Sequence, residues 1–120
     1  MKLWWPHNEA MVAVLLAYSL TGDARWWAWF ERITSWTMTH FPDTRANALA
    51  VPSVPAVGGL RTPPSSMGEP GGEWFGYLTR EGHVSQRFKG GPYKGCFHVP
   101  RSLFLCGQII TSILATAPIA

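Results

Sequence analysis

The sequence predicts a mainly α-helical chain, three helices and one β-hairpin, interrupted by a proline- and glycine-rich stretch that forms neither. Three observations carry this. Apolar side chains recur at helical spacing in residues 7–20 and again in 24–41. Five prolines and four glycines fall within residues 44–71, a stretch with no aromatic residue. Residues 73–89 hold two strand-like runs around a glycine-bearing turn.

In the first helix, Met11, Val14, Leu15 and Tyr18 share a face, and Pro6 stands where a first turn tolerates a missing N–H. Gly22 is placed to end that helix. Asp23 beside it is a natural N-cap for "ARWWAWFERITSWTMTHF", a second helix of about 4–5 turns. Trp26, Phe30, Ile33 and Trp36 fall on neighbouring turns and are expected to form its buried face, with Trp27 and Trp29 also packing between helices and Arg25 and Arg32 opposite. The short turn makes the pair an antiparallel helical hairpin.

From Thr44 to Gly71 no periodicity survives, and the prolines deny both helix and sheet their hydrogen bonds, so this stretch reads as disordered. Order resumes in "GEWFGYLTREGHVSQRFKGG", with strands expected at Glu73–Thr79 and His83–Lys89 and a turn at Arg80-Glu81-Gly82. A glycine-rich loop follows, then a helix from about Pro100 to Leu114.

Ten Lys and Arg against seven Asp and Glu leave a net charge of +3, spread without runs or a basic stripe, so a nucleic-acid partner is not expected. Cys96 and Cys106 form no CxxC pair, and with four scattered histidines they give no metal-ligand spacing. Such sparse cysteine suits a reducing, cytoplasmic compartment. Residues 102–120 carry no charge and approach the ~20 residues of a bilayer span. Gly107, Gln108, Thr111, Ser112 and Pro118 weaken that reading, and a buried helix with a frayed tail is expected instead, hence no membrane partner. The apolar run at 11–20 imitates a signal peptide, but Pro6, His7 and Glu9 sit where such a leader is merely basic. Seven tryptophans in so short a chain point to a groove that stacks something flat or sugar-like.

Three motifs, "KLWWPHNEAM" (2–11), "GEWFGYLTREG" (72–82) and "KGGPYKGCFHVPR" (89–101), together resemble the carboxy-terminal part of the N-acylglucosamine 2-epimerase family, also known as renin-binding protein. The resemblance covers residues 2–43 and 72–114. It implies an (α/α)6 barrel, of which this chain is a partial fragment, and an isomerase interconverting N-acetyl-D-glucosamine and N-acetyl-D-mannosamine. Family members join the second helix to the GEWFGY strand by a short connection, so residues 44–71 look like a foreign insert of spliced or intronic origin. The chain then divides into a helical hairpin (1–43), the insert (44–71), a β-hairpin with catalytic-type loop and helix (72–114), and a tail (115–120).

The implied reaction removes the proton beside the C1 aldehyde of the opened sugar and returns one to the other face. Histidine suits this work because its unperturbed pKa of about 6.5 lies near neutrality. The resemblance makes His98, in "CFHVPR", the catalytic candidate, and puts a second histidine upstream of anything in this chain; His7, His40 and His83 lie outside its motif. It gives Arg101 to sugar binding or to stabilising the enolate charge, and Glu9 to orienting the substrate or a catalytic histidine. Glu9 is also the kind of first-turn glutamate that a helix dipole favours. Trp4 and Trp5 precede the same helix; one is expected either to stack on a sugar face or to join the core. Gly90, Gly91 and Gly95 are expected to let the loop turn tightly and approach a ligand. Lys94 reads as a solvated loop lysine, the alternative being a pocket cation. The family responds to ATP as an effector, but "GGPYKG" lacks P-loop spacing, so no cofactor is expected here. The implied partners are an amino-sugar substrate and, among proteins, a second copy of the chain or renin. With one of two histidines, the chain alone is expected to be inactive. The alternative is a non-catalytic interaction fragment presenting apolar helix faces.

Overall fold

The computed structural model describes residues 1–44 and 73–116, in the order β1 (Lys2–Leu3), α1 (Trp4–Thr21), α2 (Ala24–His40), β2 (Tyr77–Leu78) and α3 (Val99–Thr116). The stretch expected to be a disordered insert lies outside the described residues apart from Thr44, as do residues 117–120.

The helix α1 begins at Trp4, three residues earlier than the periodicity indicated, because the chain ahead of it is fixed from outside. β1 pairs antiparallel with β2, Lys2 opposite Leu78 and Leu3 opposite Tyr77, and the Trp4 N–H donates to the Gly76 carbonyl at 3.2 Å. Pro6 then sits within the first turn, where its missing N–H has no acceptor to disappoint. Asn8 Nδ2 donates to the Trp4 carbonyl at 2.7 Å and tightens that turn. Gly22 ends α1 in the left-handed region at φ 67°, its N–H donating to the Tyr18 carbonyl at 2.8 Å. Asp23 caps α2, its Oδ1 accepting from the Arg25 N–H at 2.9 Å.

α1 is the hub, packing against α2 on one side and α3 on the other. One apolar cluster joins Met11 and Leu15 of α1, Phe30 of α2 and Cys106 of α3. The other joins Trp4, Phe41, Trp74, Phe75, Leu78 and Val84 around the entry to α1. The packed face of α2 keeps Phe30, Ile33 and Trp36 of the expected set and takes Trp27 in place of Trp26. Phe30 and Thr37 are buried and Trp27, Ile33 and Trp36 pack on the clusters, whereas Trp26 and Trp29 are exposed. Two apolar stripes were available on this tryptophan-rich helix, and α1 selects the one that includes Trp27.

The expected hairpin forms only at its turn end. Of its two runs only Tyr77–Leu78 is strand, laddered to β1 on one side and meeting just the first residues of His83–Lys89 on the other. The turn itself forms: Leu78 and Val84 make an isolated bridge, the Thr79 N–H donates to the His83 carbonyl at 2.8 Å, and Gly82 takes φ 101°. Gly82 also has no room for a side chain, since a Cβ would lie 2.3 Å from His40 Cδ2.

α3 matches its expected span but is not a buried helix. Only Ser102 and Cys106 are buried, while Leu103, Phe104 and Leu114 are exposed. It is long and apolar enough to cross a membrane by length and composition. Within the described residues, its exposure has a simple cause: α1 covers one side and no element covers the other.

Candidate active site

Two helix starts meet at the site. His98 directly precedes α3, its carbonyl accepting from the Ser102 N–H at 3.1 Å, and Arg101 lies in the first turn of the same helix. Val99 packs on the Trp4 cluster and holds this helix start against the start of α1, which carries Glu9. The sequence-predicted trio therefore comes together across some ninety residues of chain. His98 Nδ1 donates to Glu9 Oε1 at 2.8 Å, and Arg101 Nη2 donates to that same oxygen.

This geometry fixes more than proximity. A carboxylate accepts, so the His98 ring carries a proton on Nδ1, and in the neutral ring this leaves the lone pair on Nε2. Arg101 is itself oriented, Nε donating to the Phe97 carbonyl at 3.2 Å and its guanidinium lying 4.2 Å over the Phe97 ring. The hydrogen bonds from Arg101 first, and from His98 second, hold the Glu9 carboxyl below its ordinary range. All three side chains keep between a quarter and two-fifths of their surface open to solvent, so the cluster is reachable by a polar molecule.

The two tryptophans separate. Trp4 is buried in the core, edge-on to Tyr77 with ring centroids 5.5 Å apart. Trp5 is 43% exposed, with its ring centroid 5.9 Å from that of His98, so it alone of the pair offers a face beside the imidazole. The three loop glycines do not adopt positive φ, and a Cβ at Gly90 or Gly95 would meet open space. Their use is thus not a strained turn.

Lys94 is not a solvated loop lysine. Its side chain is 6% exposed, and its ammonium donates to Glu73 Oε1 at 2.6 Å. Neither residue advertises this in the sequence, because the partners are far apart along the chain and each has an ordinary surface reading. Among the described residues no group of three or more His, Cys, Asp or Glu is arranged to hold a metal ion. A shallow groove along α3, lined by Leu103, Phe104, Gly107, Gln108 and Thr111 among others, does not include His98, Glu9 or Arg101.

Residues 1–48 match the family model described as N-acylglucosamine 2-epimerase (GlcNAc 2-epimerase). The chain is 40% identical over 115 residues to the N-acylglucosamine 2-epimerase of Bos taurus, a match covering 96% of this chain and 21% of that relative. It is 41% identical over 114 residues to the Mus musculus protein of that name, and 40% identical over 115 residues to the Homo sapiens one, with 95% and 96% of this chain and 21% of each relative covered. The chain spans about a fifth of the length of these curated relatives.

Proposed function

Since the chain belongs to the N-acylglucosamine 2-epimerase family, we propose that Glu9, His98 and Arg101 form one half of a proton-transfer site that epimerises an N-acylhexosamine at C2. The observation that carries this is the shared carboxylate oxygen of Glu9, which holds the imidazole by Nδ1 and leaves Nε2 to act as the base. In the opened sugar, Nε2 takes the C2 proton and the electron pair moves through C1 onto the aldehyde oxygen, giving an enolate that carries the acylamino group on C2. A proton returned to the other face of C2 inverts the centre. Glu9 steadies the imidazolium formed midway, and the cation of Arg101 opposes the charge growing on oxygen. Trp5 supplies an apolar face for the sugar ring. The group serving the second face comes from outside these 120 residues, and the isolated chain therefore converts no N-acetyl-D-glucosamine.

The test is a chimera in which this chain replaces the matched fifth of the Bos taurus relative. The chimera should epimerise, and His98→Ala within it should lower the rate by about 10²–10⁴-fold. A folded chimera whose activity survives His98→Ala would refute the assignment.

A second reading rests on a different observation. Trp26 and Trp29 of α2 and Leu103, Phe104 and Leu114 of α3 are exposed, an apolar surface of the kind that marks protein contact. On that reading the chain is a non-catalytic interaction fragment. Size-exclusion chromatography separates the two, since a monodisperse complex or oligomer with a cooperative melt supports an interaction module.

A further inference from the structure

His98 is reached through a loop that has little else to hold it. From Gly90 to Phe97 every residue is exposed except Lys94. The Lys94 stem lies along the GEWFGY segment, where a Cβ on Gly76 would come within 3.4 Å of Lys94 Cδ and 3.2 Å of Trp4 Cε3. That glycine lets the lysine and the tryptophan pack on one stretch of backbone. The ammonium then reaches Glu73 at 2.6 Å, and the Lys94 N–H closes a turn onto the Gly91 carbonyl at 3.1 Å. Glu73 is held in turn, its Oε1 accepting from the Trp74 N–H at 2.6 Å and its carbonyl from the Asp43 N–H at 2.7 Å. Partial burial pushes the Glu73 carboxyl up, but Lys94 and the Trp74 N–H outweigh it and leave it below the ordinary range. Upstream, Lys89 pairs with Asp43, so both lysines of the loop grip the place where the Asp43 and Glu73 segments meet.

We propose that Lys94 is a positioning residue for His98: by clamping the loop onto the Glu73–Gly76 segment it sets the approach of the imidazole to Glu9. Lys94 stands four residues before His98, and the next charged anchor back, Lys89, stands nine before it. Releasing Lys94 therefore about doubles the length of chain upstream of the histidine that no charged anchor holds. Downstream, Val99 fixes the helix start but leaves the ring on the loop side of it. A near-buried lysine paired with a half-exposed carboxylate is a one-sided arrangement. Removing the lysine charge leaves a hydrated Glu73, so the fold tolerates the change, and Glu73→Gln removes the carboxylate charge while still offering the ammonium an amide oxygen.

This inference rests on the reading of Glu9 and His98 as a working pair, and its test separates the two. The ratio of His98 ring tautomers is read from ¹⁵N NMR of the imidazole at pH 8 in the full chain. Wild type should be mainly the Nδ1–H form. Lys94→Met, which keeps an apolar stem of similar length, should move the ratio towards the Nε2–H form of a solvated imidazole. Lys94→Arg should restore the wild-type ratio, a rescue that a merely space-filling role does not predict. Glu73→Gln attacks the same pair from its exposed side, should shift the ratio in the same direction, and serves if Lys94→Met fails to fold. A wild-type ratio in folded Lys94→Met or in Glu73→Gln would overturn the positioning role. A wild type lacking the Nδ1–H form would instead overturn the Glu9–His98 pair.

Discussion

Replacing Glu9 with glutamine keeps the shape of the side chain and removes its charge. In the structure one oxygen of Glu9 accepts from both His98 and Arg101. Exposed ion pairs contribute about 0.2–1 kcal/mol each, and these three side chains are partly solvated, so screening reduces what their close geometry would otherwise give. The loss expected at pH 7 is about 1 kcal/mol, or about 4–8 °C in Tm for a domain of this size. The pH dependence identifies the cause. The folded-state pKa of Glu9 lies below its ordinary value of 4.5, so its contribution is complete above that value and disappears as pH falls through the depressed one. Thermal melts of wild type and Glu9→Gln followed by circular dichroism should thus differ at pH 7 and converge as the pH is taken down through the depressed pKa, below 4.5. Added salt should narrow the gap at pH 7. A difference that persists undiminished in acid would show that packing, not charge, is responsible, and no difference at pH 7 would show that the pairs contribute nothing.

Two further outcomes follow from the packing. Gly82→Ala places a side chain at φ 101° and within 2.3 Å of His40 Cδ2, and should cost about 1–3 kcal/mol in a urea titration; an unchanged midpoint would contradict the turn as described. The flanks of residues 45–72 lie side by side, with the Phe75 N–H donating to the Phe41 carbonyl at 2.8 Å and Pro42 bridged to Trp74. We read the 44–71 stretch as an insertion into a family scaffold, and replacing residues 45–72 by a short turn should leave the cooperative melt in place. Loss of folding on that deletion would refute the insertion reading.

The local signals in the sequence were sufficient wherever neighbours in the chain decide the structure. Gly22 and Asp23 mark the break between α1 and α2 because a left-handed glycine and a capping carboxylate act within a few residues. The motifs around Glu9 and His98 likewise named the three residues that meet at the site. What escaped was decided by distant partners. β2 pairs along one edge with β1, and two residues at the N-terminus give no periodic signal of a strand. The periodicity puts Trp26 on the buried face of α2, and only the packing against α1 shows that Trp27 takes that place. Trp4 and Trp5 are adjacent and identical in kind, and only the helix geometry sends one to the core and the other to the imidazole. Lys94 looked solvated because Glu73 stands on another segment.

The most direct measurement of the central claim is the protonation pattern of the His98 ring at pH 8 in wild type and in Glu9→Gln, read by ¹⁵N NMR. A carboxylate-held imidazole should show hydrogen on Nδ1 and a bare Nε2, and should lose that preference when the carboxylate becomes an amide. A ring protonated mainly on Nε2 in wild type would leave no base facing outwards, and the account of His98 as a proton carrier would be contradicted.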